Sequence, residues 1–146
     1  MGLFQIFKAQ SETKVAMNSM EAFAAICLVA IASDGYLSDS EEAEMNMRLS
    51  RMKLYQEKLG QLDQIRNYLV ENLKKHGPNE LIQSAKAALP PQLTSTAFAI
   101  AADLVFSDGT VSVQERAFID DLRRILEIPD DLAIKILEVI TIKNQG

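Results

Sequence analysis

The residues of this sequence best suited to chemistry are carboxylates that recur at two similar places. Asp34 and Glu41 stand 74 positions before Asp108 and Glu115, respectively. Asp103 is the lone acid in a nearby apolar stretch, where a carboxylate needs a cation, a hydrogen bond or an ion pair with Lys or Arg. Carboxylate oxygens are the ligands that hard divalent cations prefer. These five acids are therefore the candidate metal ligands, and a purely structural role for each is the alternative.

The two acidic places belong to an internal repeat. Residues 31–43 align with residues 105–117 without a gap, and six of the 13 positions are identical. Each copy follows an apolar stretch and precedes an amphipathic one. Self-similarity at about half the chain length predicts two related halves. We place the halves at about 15–76 and 92–143, within a single domain of residues 1–146.

Each copy of the repeat is predicted to be a corner between two helices. Gly35 and Gly109 can adopt the positive φ that commonly ends a helix. The strings Ser38–Glu41 and Ser112–Glu115 match the capping box, in which the Ser and Glu side chains each accept from the other residue's backbone N–H. Capping explains the serines, glycines and glutamates of the repeat. It does not explain the aspartate before each glycine, which leaves those aspartates as candidates for a further role.

An EF-hand is the obvious alternative interpretation of the repeat. Residues 34–41 and 108–115 both fit the last eight positions of that calcium loop, with Gly sixth and Glu twelfth. The first and third positions, which should supply oxygen ligands, would be Ala30 and Ala32 in one copy and Leu104 and Phe106 in the other. We therefore reject an EF-hand, whereas a looser site shared between the corners stays open.

Helical spacing recurs along the whole chain, and no stretch alternates apolar and polar residues as a half-buried strand would. We predict an all-α bundle of about seven helices with short connections. The first helix, about 15–33, and the fifth, about 92–106, are rich in alanine and apolar nearly all round, which predicts central positions. The others are expected from Ser38, over about 62–76, over 79–89, from Ser112 and after Pro129. In the last helix we expect four residues to face the core: Leu132, Ile136, Val139 and Ile140.

Composition narrows the classes of function. The net charge of -5 argues against nucleic acid as a partner, since such binding needs a basic surface. One histidine, His76, and one cysteine, Cys27, provide neither a zinc set nor a Cys/His nucleophilic pair. No phosphate-binding glycine string and no Gly-x-Ser-x-Gly string occurs. We expect Cys27 to be a buried, inert thiol and the protein not to be an enzyme, with a carboxylate-based hydrolase as the enzymatic alternative.

The beginning of the chain and its longest apolar run bear on location. Residues 22–32 form an apolar run that is short of the roughly 20 residues needed to span a membrane. Residues 1–8 lack a signal-peptide layout, and Ile6 stands where a myristoylation signal needs Ser or Thr. These features predict a cytoplasmic protein without a transmembrane segment. We expect the apolar cluster near the start to pack against the core, or alternatively to contact a membrane or partner: Leu3, Phe4, Ile6 and Phe7.

At the two repeats the sequence resembles the TerB family of tellurite-resistance proteins. Members carry an alanine-rich helix ending in Ser-Asp-Gly, followed by a helix start containing Glu, twice per chain. The first copy here is residues 29–35 followed by Glu41-Glu42, and the second is residues 107–109 followed by residues 115–117. Residues 126–129 resemble the family's lead into a last helix. The resemblance extends from about residue 20 to residue 140.

The resemblance implies a seven-helix fold in two similar halves and an acidic patch proposed to bind metal ions. Asp34, Glu41, Asp108 and Glu115 are the matched acidic positions. It also implies a role in tellurite-resistance or stress-response systems, with Ter-type and membrane-associated partners. Asp103 departs from the family pattern, because a small residue is usual at that position.

Two functions follow from these observations. The first is a non-enzymatic, metal-responsive stress protein that holds a divalent cation and needs no other cofactor. The second is a metal-free protein-interaction module in which the Asp-Gly corners are structural. In that case we expect exposed aromatic residues to contribute to binding, with Phe4, Phe7 and Tyr55 as candidates.

Overall fold

Capping boxes begin three of the described helices, with Asn18, Ser38 and Ser112 as the N-cap residues. The computed structural model describes residues 15–33, 35–107 and 109–146. The described part contains seven α-helices and two 3₁₀ helices, and no strand. The all-α prediction and its helix order are confirmed. The α-helices are α1 Ser19–Ile31, α2 Asp39–Ser50, α3 Leu62–His76, α4 Pro78–Ala88, α5 Thr94–Val105, α6 Val113–Ile125 and α7 Asp130–Lys143; the 3₁₀ helices are Lys53–Gln61 and Pro91–Leu93.

Helix α1 is the centre of the fold. Ten consecutive residues, 22–31, are buried in it, and the helix packs against α3, α4 and α5. The alanines among these residues let neighbouring backbones approach closely, while Phe23, Ile26 and Leu28 fill the space between them. Complete burial of each of these three side chains stabilises the fold by about 1.5–3 kcal/mol. The predicted central position of the first helix is confirmed.

The start of α1 differs from the prediction by four residues. Asn18 is the N-cap and forms a capping box with Glu21, so the helix begins at Ser19 rather than near Val15. Val15 instead precedes the helix, with its backbone N–H donating to Ser84 Oγ in α4 at 2.9 Å. This bond ties the chain ahead of α1 to the side of α4.

The prediction that Tyr55 is an exposed binding residue is wrong. Tyr55 is fully buried in the first 3₁₀ helix, and its hydroxyl donates to the Met20 carbonyl of α1 at 2.7 Å. The surrounding sequence is polar, but the ring fills the gap between the 3₁₀ helix and α1. Burial raises the pKa of the Tyr55 hydroxyl above its usual range, so Tyr55 is a neutral core residue.

The last helix is less buried than its sequence suggested. Ile140 is buried as predicted, and Leu132 and Ile136 pack partly against the core. Val139 was also predicted to face inward but is 63% exposed. Helix α7 packs mainly against α5, and a helix with one packing neighbour buries only one stripe of its surface. None of the described helices combines the length and the apolar character that a membrane crossing requires.

Candidate functional site

Both helix corners are closed in the way that the repeat predicted. Gly35 and Gly109 have φ of +88° and +79°. The Ser38 hydroxyl accepts from the Glu41 backbone N–H at 3.1 Å, and Glu41 Oε1 accepts from the Ser38 backbone N–H at 3.1 Å. The second corner repeats this box between Ser112 and Glu115, at 3.0 and 2.9 Å. The capping boxes are therefore confirmed, and they fit the expected relationship between two halves.

The metal-site prediction rests on five acids, and the structure describes three of them. Asp34 and Asp108 lie outside the described residues. Glu41 and Glu115 use Oε1 in the caps, which leaves Oε2 of each outside the capping box. Within the described ranges, no three His, Cys, Asp or Glu side chains group closely enough to hold a metal ion. The metal site stays a prediction that depends on the two aspartates.

Asp103 lies in α5 and is paired with two cations. Its Oδ2 accepts a hydrogen bond from Arg48 Nη1 of α2, and its Oδ1 lies 3.2 Å from Lys143 Nζ at the end of α7. Arg48 also donates from Nε to Glu44 Oε2 at 3.0 Å. The Asp103 and Arg48 side chains are only 17% and 18% exposed. Of the alternatives that the sequence left open for Asp103, the structure therefore contains the ion pair. Together with the Lys143 contact, this pair joins three helices.

An open apolar groove of about 750 Å³ lies beside the first corner. Residues of the corner and of the first half of α6 line it. The ends of α1 and α3 and the start of α4 complete it. This volume falls within the range of sites that bind a small molecule or a short peptide. The lining residues are Val29, Ala32, Ser33, Gly35, Tyr36, Leu37, Val70, Leu73, Lys74, Pro78, Val113, Gln114, Ala117, Phe118 and Asp121.

Large apolar side chains are exposed at the mouth of the groove. Val113 is 84% exposed and Tyr36 is 68% exposed, and exposed apolar side chains that cluster are typical of binding surfaces. Val113 and Ala117 lie on the side of α6 away from its buried stripe, which contains Phe118 and Leu122. Sequence analysis missed this surface. The available signal was Val113, an apolar residue outside the core spacing of its helix.

The two corners differ at their serines. In the second corner, Ser107 Oγ donates to the Leu104 carbonyl at 2.9 Å. The matching Ser33 Oγ is buried and has no hydrogen-bond partner among the described residues, and Ser33 lines the groove. The hydrogen bonding of the repeated serine therefore differs between the two corners.

Cys27 is not an activated nucleophile. It is fully buried in α1, and burial raises the pKa of its thiol to about 12, whereas a nucleophilic cysteine needs a lowered pKa. His76, the one histidine in the sequence, is the last residue of α3. The prediction of a buried Cys27 is confirmed.

The structure is thus that of a small all-α protein in which a capping box closes each of the two helix corners. Residues 20–137 match the family model described as "Tellurite resistance protein TerB". The chain belongs to this family. Neither a curated protein nor a solved structure matches it.

Proposed function

We propose that this chain is a non-enzymatic protein of a tellurite-resistance or stress-response system and that it acts by binding an apolar segment of a protein in the groove. The groove is the single observation that carries the proposal. Its walls come from the first corner and from α6, and the valine and tyrosine at its mouth are largely exposed. Clustering of large apolar side chains on an exposed surface is typical of a site that binds a protein.

The residues that line the groove favour an apolar helical segment as the occupant. Its lining is mostly apolar and includes the buried Val29 and Phe118, and its charged members are Lys74 and Asp121. An amphipathic helix binds such a groove through residues spaced three and four apart. Burial keeps the Cys27 thiol protonated, which favours binding over thiol chemistry.

The repeat supplies a matched pair of substitutions to test this function. Ala117 lines the groove, and Ala43 is the equivalent residue of the first copy, outside the groove lining; both are exposed. We expect Ala117→Arg to abolish the protection of tellurite-challenged cells that depend on this chain, while Ala43→Arg retains it at equal protein level. Equal survival of the two variants would contradict the role of the groove.

Cation binding at the corners is the second candidate. The caps use one oxygen of Glu41 and one of Glu115, and they do not require Asp34 or Asp108. A divalent cation held by these acids would make the protein metal-responsive and would need no other cofactor. Asp103 is the weakest of the five candidates, because Arg48 and Lys143 already neutralise it.

Calorimetric titration with Ca²⁺, Mg²⁺, Mn²⁺ and Zn²⁺ tests this second candidate. Binding by the unaltered chain that is lost in the Asp34→Asn/Asp108→Asn double variant would support it. A ligand that binds the folded state must stabilise it. If no cation raises the melting temperature, the acids of the corners have only a structural role. The cytoplasm remains the proposed location, and Ter-type proteins, including membrane-associated ones, remain the proposed partners.

A further inference from the structure

Helix α7 exposes a second apolar surface, separate from the groove. Of the seven large apolar side chains that are exposed in the described part of the chain, three belong to this helix: Ile134, Val139 and Ile142, which are 57%, 63% and 67% exposed. At 3.6 residues per turn they fall within an arc of about 140°, opposite the buried Ala133 and Ile140. None of the described residues that line the groove belongs to α7. The outer face of α7, defined by this arc, is therefore a surface of its own.

The outer face of α7 also carries charges of both signs. Asp131, Lys135 and Glu138 lie within the same arc of the helix, and all three are exposed. Apolar side chains alone would fit any apolar surface, whereas charges at fixed positions restrict the choice of partner. A partner for this face must therefore present apolar side chains together with a basic and an acidic group in complementary order.

A second copy of α7 that runs antiparallel to the first has this complementary order. In the register centred between residues 136 and 137, Lys135 of each copy lies opposite Glu138 of the other, so a two-fold axis generates two ion pairs. Equivalent edges of the two helices adjoin in such a pair. Ile134 therefore lies beside Ile134 of the second copy along one edge, and Val139 beside Val139 along the other. These apolar side chains shield the ion pairs from solvent on both sides.

Other partners fit the outer face of α7 less well. A parallel pair places Lys135 opposite Lys135 and Glu138 opposite Glu138, and like charges repel. The dipoles of two parallel helices repel as well, whereas antiparallel dipoles attract. An unrelated apolar helix would cover the apolar side chains but would leave both charges without an opposite charge, which is unfavourable. The order of the charges therefore favours an antiparallel copy of the same helix.

We propose that α7 is the contact surface of a homodimer, in which it pairs antiparallel with α7 of a second copy. The inference goes beyond the proposed function and does not depend on it. One face of a 14-residue helix is about 21 Å long, which is small for a stable interface, and the net charge of -5 on each copy opposes association. The dimer is therefore weak and forms as the protein concentration rises. Each dimer presents two grooves, because the groove residues lie on other helices.

Sedimentation equilibrium of the unaltered chain tests for this dimer. Between about 10 µM and about 1 mM, the range in which weak complexes form, the weight-average mass should rise from near 16.2 kDa toward twice that value. A mass that stays at that of one chain over the whole range would overturn the proposal. A dimer that is lost in Ala117→Arg would overturn it as well, because the copies would then pair through the groove.

Charge reversal on α7 tests the arrangement of the two helices. Lys135→Glu leaves two acids at the centre of each copy and Glu138→Lys leaves two lysines, so each variant alone should associate about tenfold more weakly. An equimolar mixture of the two should regain the association, because each acid then lies opposite a lysine. Lys75→Glu and Glu71→Lys make the same changes at exposed positions of α3 and should associate like the unaltered chain. Far-UV circular dichroism checks that every variant is folded.

Two results of the charge reversals would contradict the antiparallel pair. One is single variants of α7 that dimerise as tightly as the unaltered chain, and the other is a mixture that associates no better than its components. Neither result affects the tellurite-survival comparison, which uses chains with the native α7. Conversely, equal survival with Ala117→Arg and Ala43→Arg would refute the proposed function and leave the dimer intact.

Discussion

Replacing Asp103 with asparagine is expected to destabilise the protein through the ion pair with Arg48. The asparagine would keep the shape of the side chain and remove its charge, leaving a guanidinium that is 18% exposed with Glu44 as its remaining carboxylate partner. Breaking a fully buried pair costs about 3–5 kcal/mol, and an exposed pair contributes about 0–1 kcal/mol. The partial exposure of this pair places the expected loss in the free energy of unfolding at about 2 kcal/mol. The Lys143 contact adds little, because that side chain is 50% exposed.

Urea unfolding followed by circular dichroism measures this loss, and a double-mutant cycle with Arg48→Gln isolates the pair. A loss of this size corresponds to a fall in melting temperature of about 4–8 °C. Asp120→Asn is the control, since Asp120 is 60% exposed and pairs with Arg124 within α6 at 3.4 Å. We expect that control to lose less than about 1 kcal/mol. Equal losses for the two variants, or a coupling energy near zero between Asp103 and Arg48, would refute the reasoning.

Three further predictions concern the caps and the core. Ser38→Ala and Ser112→Ala should each lower the free energy of unfolding by about 1 kcal/mol, and unchanged urea midpoints would contradict the capping boxes. Tyr55→Phe should cost about 1 kcal/mol, because it removes the hydrogen bond that the Tyr55 hydroxyl donates to the Met20 carbonyl; a neutral change in thermal unfolding would argue against that bond. Burial raises the pKa of the Cys27 thiol from 9.0 to about 12. As pH rises between these values, the thiol ionises in the unfolded chain but not in the folded one, so the free energy of unfolding falls. Between about pH 8 and about pH 10 the unaltered chain should lose roughly 1 kcal/mol more than Cys27→Ala, and parallel pH profiles would exclude this effect.

Local signals explain why the helices and corners were predictable. The capping boxes at Ser38 and Ser112, and the positive φ at Gly35 and Gly109, each depend on residues close to one another in the chain. Such short-range chemistry can be derived from sequence alone. The alanine-rich α1 was likewise predictable, because its burial follows from an apolar surface on every side.

The features that the sequence could not predict depend on distant elements. Tyr55 is buried because α1 lies beside a polar 3₁₀ segment, and no local pattern specifies that neighbour. Arg48 pairs with Asp103 across 55 positions of sequence, so the candidate ligand could not be separated from the ion pair beforehand. The groove needs α1, α3, α4 and α6 together. Of the groove residues, Val113 could have been noticed in the sequence, because it is apolar but lies outside the spacing of the buried residues of α6.

The most direct test of the central claim is a methyl NMR titration that asks where an apolar helical segment binds. The protein is the unaltered chain, and the titrant is an amphipathic helical peptide with leucines spaced three and four residues apart. Saturable shifts are expected in the groove, at the methyl groups of Val29, Leu37, Val70, Leu73 and Val113. The exposed Ile134 and Ile142 of α7 should not move. Shifts at α7 instead of the groove, or no saturable shift at all, would contradict the account.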